Sequence, residues 1–335
     1  VTSWAVEPHL RDPVLVCAFE GWNDAANAAT DALRFMIRQL NATDIGGVDA
    51  EDYFDFQAAR PHVEMENGVV KKVRWPNTRF ALARVARAER DLVLVLGVEP
   101  NLRWPAFCRE ILTMAADLGC SLTVTLGALL GDAPHSRPVR VTGTADPELA
   151  QRLGLQRSRY EGPTGIVGVL TDASRRIGLP TVSLWAPVPH YVATPPSPMA
   201  THSLLDRLTQ LTGIPLPLQS LEVAGRGWQQ HVTAAIDDES IREYVADLEA
   251  RYDRDDPADL TDASPDPGLD ALAEEEIDFE DWSDWEHDDD DWEDFDDPAA
   301  EDDDEFDEDD LPSGDAIARE LEKFLRENRD DNPDP

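Results

Sequence analysis

The sequence predicts an α/β fold: a mostly parallel sheet covered by helices, followed by a C-terminal helical extension and a disordered acidic tail. Three observations carry that expectation. Short runs at 13–19 and 91–96 are apolar on both faces, as in strands buried beneath helices on both sides of a sheet. Longer stretches between such runs repeat their apolar residues at a spacing of three to four, the period of a helix. The charge is also partitioned: residues 261–335 hold 35 acidic and 4 basic side chains, whereas residues 1–260 hold 34 and 25. A body of 260 residues can build a full core as one large or two small domains. The tail has too few aliphatic residues to do so.

Each element follows in order. Residues 13–19 read as a buried strand. Residues 24–40 read as a helix, with Ala25, Ala28, Ala29, Ala32, Leu33, Met36, Ile37 and Leu40 on one face and Asn23 or Asp24 as cap. Residues 48–56 and 69–73 read as extended segments, and 91–96 as the strongest strand. A helix over 104–118 ends at Gly119. Strands follow at 121–126 and 166–170, then a short helix at 174–177 and a strand at 179–185. Beyond Pro198 the pattern turns helical, with helices at 199–211, 218–236 and 239–254. The boundaries expected are an α/β domain over 1–198, a helical extension over 199–256, an acidic-aromatic tail over 257–312 and an amphipathic helix over 313–329. No repeat of fixed period is present.

Composition excludes several classes of function. The net charge of −40 leaves no basic stripe for nucleic acid, and anionic membrane surfaces are disfavoured for the same reason. No apolar run reaches the roughly 18–20 residues of a spanning helix. The first eight residues lack a basic segment followed by an apolar one, so no secretory signal is expected there. The chain opens on Val rather than Met, so a few preceding residues are expected. Cys17, Cys108 and Cys120 lack CxxC spacing and fit buried thiols in a reducing cytoplasm.

Polar residues collect after the strands. Glu20, Trp22, Asn23 and Asp24 follow the first, and Glu99, Arg103 and Trp104 follow the strand ending at Leu96. Asp132, His135, Ser136 and Arg137 follow the third, and His190 and Tyr191 follow the last. Ligands of an open parallel sheet sit beyond the carboxyl ends of its strands. Glu20, Asp24, Glu99, His135 and His190 are therefore candidate catalytic groups. Trp22, Asn23, Arg103, Trp104, Arg137 and Tyr191 are candidate pocket residues. The same loops also read as ordinary turn and cap chemistry or as subunit contacts. No phosphate loop, GxGxxG, nucleophile elbow or metal-ligand spacing is present, so no cofactor and no metal are expected. A Ser-His-Asp set can be drawn from Ser136, His135 or His190, and Asp132.

These residues also carry a family resemblance. A strand leads into Glu20-Gly21-Trp22-Asn23-Asp24-Ala25. Asp52-Tyr53-Phe54-Asp55-Phe56, Arg60-Pro61 and Trp75-Pro76 come next, then Gly97-Val98-Glu99-Pro100 with Arg103-Trp104, and Leu126-Gly127-Ala128-Leu129. Pro134-His135-Ser136-Arg137-Pro138, Tyr160-Glu161-Gly162-Pro163-Thr164-Gly165 and Ser183-Leu184-Trp185 through His190-Tyr191 complete the set. In this order, from about residue 13 to 254, they resemble the proteasome assembly chaperone 2 family in its actinobacterial branch. The resemblance implies a phosphorylase/hydrolase-like α/β body and self-association, with a trimer as the implied form. It supplies no catalytic set. Archaeal and eukaryotic relatives assist assembly of the proteasome α-ring, some through a C-terminal hydrophobic-Tyr-any tail. This chain closes on Asp330-Asp331-Asn332-Pro333-Asp334-Pro335, so that docking mode is not expected.

The tail has its own pattern. Residues 270–311 contain no Lys or Arg, and Phe279, Trp282, Trp285, Trp292, Phe295 and Phe306 punctuate the acids. This composition suits a segment that binds a basic, apolar partner, a solubilising spacer, or a cover for a basic patch on the same chain. Ser313 can cap a following helix whose Ile317, Leu321, Phe324 and Leu325 form one stripe. The expected partner contacts are Trp282, Trp285, Trp292, Phe295, Ile317, Leu321, Phe324 and Leu325. The expected partners are copies of itself and proteasome subunits or another basic protein. The functional expectation is a non-enzymatic assembly-chaperone-like or interaction protein of the cytoplasm. The alternative is a small-ligand binder or hydrolase/phosphorylase-like enzyme with its pocket at the carboxyl edge of the sheet.

Overall fold

The computed structural model describes residues 10–66, 68–86, 88–145, 150, 161–236 and 238–254. The acidic tail, with its expected helix and partner contacts, lies outside them. Nine strands are present among the described residues: β1 (Val14–Glu20), β2 (Thr43–Val48), β3 (His62–Glu66), β4 (Val69–Arg74), β5 (Thr78–Ala83), β6 (Leu92–Val98), β7 (Leu122–Gly131), β8 (Thr142–Ala145) and β9 (Thr181–Pro189). The helices are α1 (Ala28–Gln39), α2 (Ala50–Tyr53), α3 (Trp104–Asp117), α4 (Ile166–Arg176), α5 (Pro198–Thr212), α6 (Gln219–Ala235) and α7 (Glu239–Asp253).

Seven strands form one sheet in the order β2-β5-β6-β1-β7-β9-β8. β1 runs parallel to β6 and β7, and β9 runs parallel to β7. β5 and β8 are antiparallel to β6 and β9. Side chains of β1 alternate between two cores, as the two-residue period of a strand requires. Val14, Val16 and Ala18 pack with Ala29, Leu33 and Met36 of α1 and Leu204, Leu205 and Leu208 of α5. Leu15, Cys17 and Phe19 pack with Phe107 and Ile111 of α3 and Ile166 and Leu170 of α4. Both faces of β1 are thereby dry, which explains its continuous apolar run. A third cluster joins Tyr191 and Val192 to Trp228, Val232, Ile241, Val245 and Leu248, fastening α6 and α7 onto the end of β9.

The structure corrects several local expectations. Residues 166–170 are not a strand but the first half of α4, and 174–177 close the same helix. Its buried positions, Ile166, Val167, Leu170, Ala173 and Ser174, keep helical spacing; the apolar start of one helical stripe imitates a short strand. Residues 50–53 of the segment read as extended form α2, capped by Asp49, whose carboxylate accepts from the Glu51 N–H at 2.9 Å. Helix α1 begins only at Ala28, after a 3-10 turn over Ala25–Asn27 in which Ala26 and Asn27 have φ of 50° and 55°.

β3 and β4 form a separate two-stranded sheet. Val63 pairs with Val73 and Met65 with Val70, with a bulge in the register between Glu64 and Met65. Residues two apart share a face of a strand, so Val63, Met65, Val70 and Val73 lie together. All four are exposed, from 41% for Val73 to 60% for Met65. At the base of this hairpin the Trp75 ring stands edge-on to Phe56 at 4.7 Å.

Candidate functional site

Two loops and one helix start meet beyond the carboxyl ends of β1 and β6, alongside β7. The backbone ties them first: the Glu99 N–H donates to Glu20 O at 2.9 Å, and the Ala128 N–H donates to Asn23 O at 2.8 Å. Side chains then close the junction. Glu99 Oε1 accepts from Asn23 Nδ2 at 2.7 Å and from the Ile166 N–H at 2.8 Å. The latter is one of the unsatisfied donors at a helix N-terminus, where a carboxylate is favoured. Gly165 is required there: a Cβ on it would stand 2.4 Å from the Asn23 amide and 2.5 Å from Glu99 Oε1. Residues 161–165, quoted in the sequence as preceding a strand, instead precede a helix. Their end is consequently delivered to the same edge as the other loops.

The remaining carboxylates there are also engaged. Asp24 is buried and accepts from the N–H groups of Ala29 at 2.8 Å and Thr30 at 3.1 Å, and from the Thr30 hydroxyl. It is thus the true cap of α1, although it lies outside the usual capping position. Burial pushes its carboxyl up to about 6 despite those hydrogen bonds. Glu20 is ion-paired with Arg34. Arg103 is paired with Asp52 and stands over the Tyr53 ring at 5.6 Å. Trp104 donates its indole N–H to Pro100 O at 2.6 Å, while Trp22 is half exposed.

The two histidines lie elsewhere, under the helical extension. His135 is buried, and its Nδ1 and Nε2 lie 2.9 Å from the Tyr191 hydroxyl and 3.0 Å from Thr233 Oγ1. Thr233 donates its single hydroxyl proton to Gln229 O at 2.8 Å, so it accepts from His135 Nε2–H. That assignment leaves Nδ1 to accept from Tyr191, whose oxygen also accepts the His135 backbone N–H at 2.9 Å. Gln229 returns a bond from Nε2 to His135 O at 2.9 Å. Burial lowers the imidazole to about 4, opposed by Glu249. His190 Nε2 lies 3.5 Å from Asp132 Oδ1 and is likewise lowered by burial. Asp132 also accepts from the Tyr244 hydroxyl at 3.0 Å. Ser136 donates to Glu249, and Arg137 forks onto Asp253 at 2.9 and 2.7 Å.

The eleven sequence candidates therefore fall into separate groups. Asn23 and Glu99 touch directly. Glu20 and Asp24 each face α1, and Arg103 faces Asp52. His135 meets Tyr191, while His190 faces Asp132 and Arg137 faces α7. Beside His135 lies a narrow cleft of about 20 Å³ bordered by Pro134, Pro187, Met199 and Trp228. The Trp228 indole N–H has no hydrogen-bond partner among the described residues. Sequence reading passed over Trp228 and Thr233, whose helix shows only an ordinary apolar stripe. It also passed over the hairpin, although Asn67-Gly68 between Val- and Met-bearing runs is a hairpin signal. Among the described residues no group of three or more His, Cys, Asp or Glu could hold a metal ion, and no helix is long and apolar enough to cross a membrane. Cys17 and Cys108 are buried and Cys120 is half-buried; burial pushes Cys108 and Cys120 up to about 12.

The sequence profile of the PAC2 family matches residues 18–236, which include the sheet apart from the first half of β1, the hairpin and α6. The chain belongs to the PAC2 family. A PAC2 family protein from Streptomyces avermitilis is 49% identical over 70% of this chain and all of its own, with a TM-score of 0.64. The proteasome-assembly chaperone homologue Rv2125 of Mycobacterium tuberculosis is 44% identical over 69% of this chain and 99% of its own, with a TM-score of 0.66. The PAC2 chain therefore has actinobacterial relatives, as its motifs led one to expect. Pyrococcus furiosus PbaB, an archaeal proteasome activator, shares the fold at 15% identity, with a TM-score of 0.55 over 68% of this chain and 94% of its own. No curated protein matches this PAC2 chain.

Proposed function

We propose that this PAC2 protein is a non-enzymatic, assembly-chaperone-like interaction protein of the cytoplasm that associates with copies of itself and with proteasome subunits. The observation that carries the reading is the hairpin β3–β4, which presents Val63, Met65, Val70 and Val73 to solvent on one face. A two-stranded sheet is marginal in water by itself, and a grouped apolar face rimmed by polar residues marks a protein contact. The 44% identity to a proteasome-assembly chaperone homologue supports the choice of partner. The engagement of Glu20, Asp24 and Glu99 in internal hydrogen bonds and ion pairs supports a scaffold over an acid–base site.

Binding of the full chain to purified proteasome α subunits tests the reading. Met65→Asp or Val70→Asp is expected to weaken binding roughly tenfold, since a buried contact worth about 1.4 kcal/mol is removed. Unchanged binding by both variants would contradict it.

A second reading rests on the cleft beside His135. The unpartnered Trp228 N–H beside this water-sized space suits a very small ligand that carries a hydrogen-bond acceptor. A thermal-shift screen of the smallest carboxylates and phosphates tests it. Stabilisation lost in Trp228→Phe supports a ligand site, and no stabilisation by any compound rejects it for these classes.

A further inference from the structure

The hairpin is also where the body departs from its own charge balance. Residues 60–75 hold four basic side chains, Arg60, Lys71, Lys72 and Arg74, against Glu64 and Glu66, in a body that is otherwise net acidic. Lys71 and Lys72 are two of the chain's three lysines, and both are exposed. Val63, Met65, Val70 and Val73 thus share one face, Lys71 lies at the bulge, and Lys72, paired with Glu64, lies on the opposite face. The same chain carries a segment of opposite chemistry. Residues 278–295 hold Phe279, Trp282, Trp285, Trp292 and Phe295 among acids, with no Lys or Arg. Aromatic area and carboxylates on one side match apolar area and ammonium groups on the other.

Reach permits the contact. Twenty-five positions separate Arg254 from Phe279, a span of up to about 85 Å when extended. A body of this size has a radius of gyration of about 18 Å. A segment tethered in this way competes at an effective concentration of order millimolar, ahead of any dilute partner.

We propose that residues 278–295 dock on the hairpin of the same chain. The aromatic side chains lie against Val63, Met65, Val70 and Val73, and the flanking acids meet Lys71 at the bulge and reach Lys72 around the strand edge. The tail thereby covers the docking face until a partner displaces it. This inference rests on reading the hairpin as a protein-contact surface.

Carbodiimide coupling of the full chain tests it, because the reagent joins amines to carboxylates and the lysines are so few. In dilute, low-salt solution, peptides linking Lys71 or Lys72 to acids of 278–295 are expected in material of monomer mass. The links should fall roughly tenfold in about 0.5 M NaCl, where charges are screened within a few ångströms. They should fall similarly in the full-length variant Trp282→Ser/Trp285→Ser/Trp292→Ser. Lys323, which lies in the tail, reports reagent efficiency throughout. Links from Lys71 and Lys72 to body acids alone, links to the tail only at dimer mass, or links indifferent to salt would overturn the proposal. The coupling is read in the unsubstituted chain and self-association by the mass of Val70→Asp, so either reading can fail without the other.

Discussion

The carboxylate of Glu99 accepts the backbone N–H of Ile166 at 2.8 Å and so joins the end of β6 to the start of α4. Asn23, bonded to the same oxygen, brings in the loop after β1. Sixty-seven positions separate Glu99 from Ile166, so the junction fixes how distant parts of the chain close one sheet edge. Glu99→Ala leaves two donors unsatisfied, at about 1–3 kcal/mol each. Glu99→Gln keeps an acceptor and loses only the charge at the helix start, about 1 kcal/mol or less. Denaturant titration is expected to rank wild type, Gln and Ala in that order. Equal midpoints for Gln and Ala would refute the role.

Gly165→Ala tests the same junction from the other side. A Cβ at 2.4 Å from the Asn23 amide forces that side chain or Glu99 to move, at a cost of about 1–3 kcal/mol. Gly178→Ala, where nothing lies within 4 Å but φ is +77°, is the control for backbone strain without a clash. The Glu99→Ala and Gly165→Ala losses should be strongly non-additive, since both break one contact.

Tyr191→Phe removes the hydroxyl that serves both the backbone N–H and Nδ1 of His135. The expected loss is about 1–3 kcal/mol, concentrated where the helical extension meets β9. Hydrogen exchange should accelerate in α6 and α7 more than in β1, as in local opening of a weakly joined unit. Uniform acceleration across the sheet would show that the hydroxyl supports the whole fold instead.

Acidification sets two buried groups against each other. His135 is lowered to about 4, so its contribution is present above the unfolded value near 6.5 and is lost as pH falls through that window. Between pH 7 and 5 the loss is about 2 kcal/mol. Asp24 is raised to about 6, so the cost of burying its charge is relieved over the same fall in pH, by about 1 kcal/mol. Asp24→Asn should therefore steepen the acid loss of stability between pH 7 and 5, and His135→Gln should flatten or reverse it. Parallel pH profiles for wild type and both variants would contradict the assignment.

How much was legible depended on whether a signal was local. The strands β1, β6 and β7 and the helix α3 announce themselves because each is a long apolar run or stripe. The α4 start misleads, because Ile166, Val167, Val169 and Leu170 look alike in a strand or a buried helix until Ala173 and Ser174 extend the period. β5 is not legible as a strand, since Thr78 and Arg79 dilute its apolar residues, although six residue pairs fix it antiparallel beside β6. The candidate residues stand out by their position after strands, and of them Asn23 and Glu99 touch. That position could not tell His135 from Glu99, because the helices that cover His135 arrive some ninety residues later through Gln229 and Thr233.

If the exposed hairpin face is a protein contact, the mass of the full chain in solution will show it. Light scattering after size exclusion, in salt high enough to release any tail contact, should give an oligomer for the wild type. Val70→Asp should give a folded monomer with an unchanged far-ultraviolet spectrum. A wild-type monomer, or an oligomer that Val70→Asp leaves intact, would contradict the account.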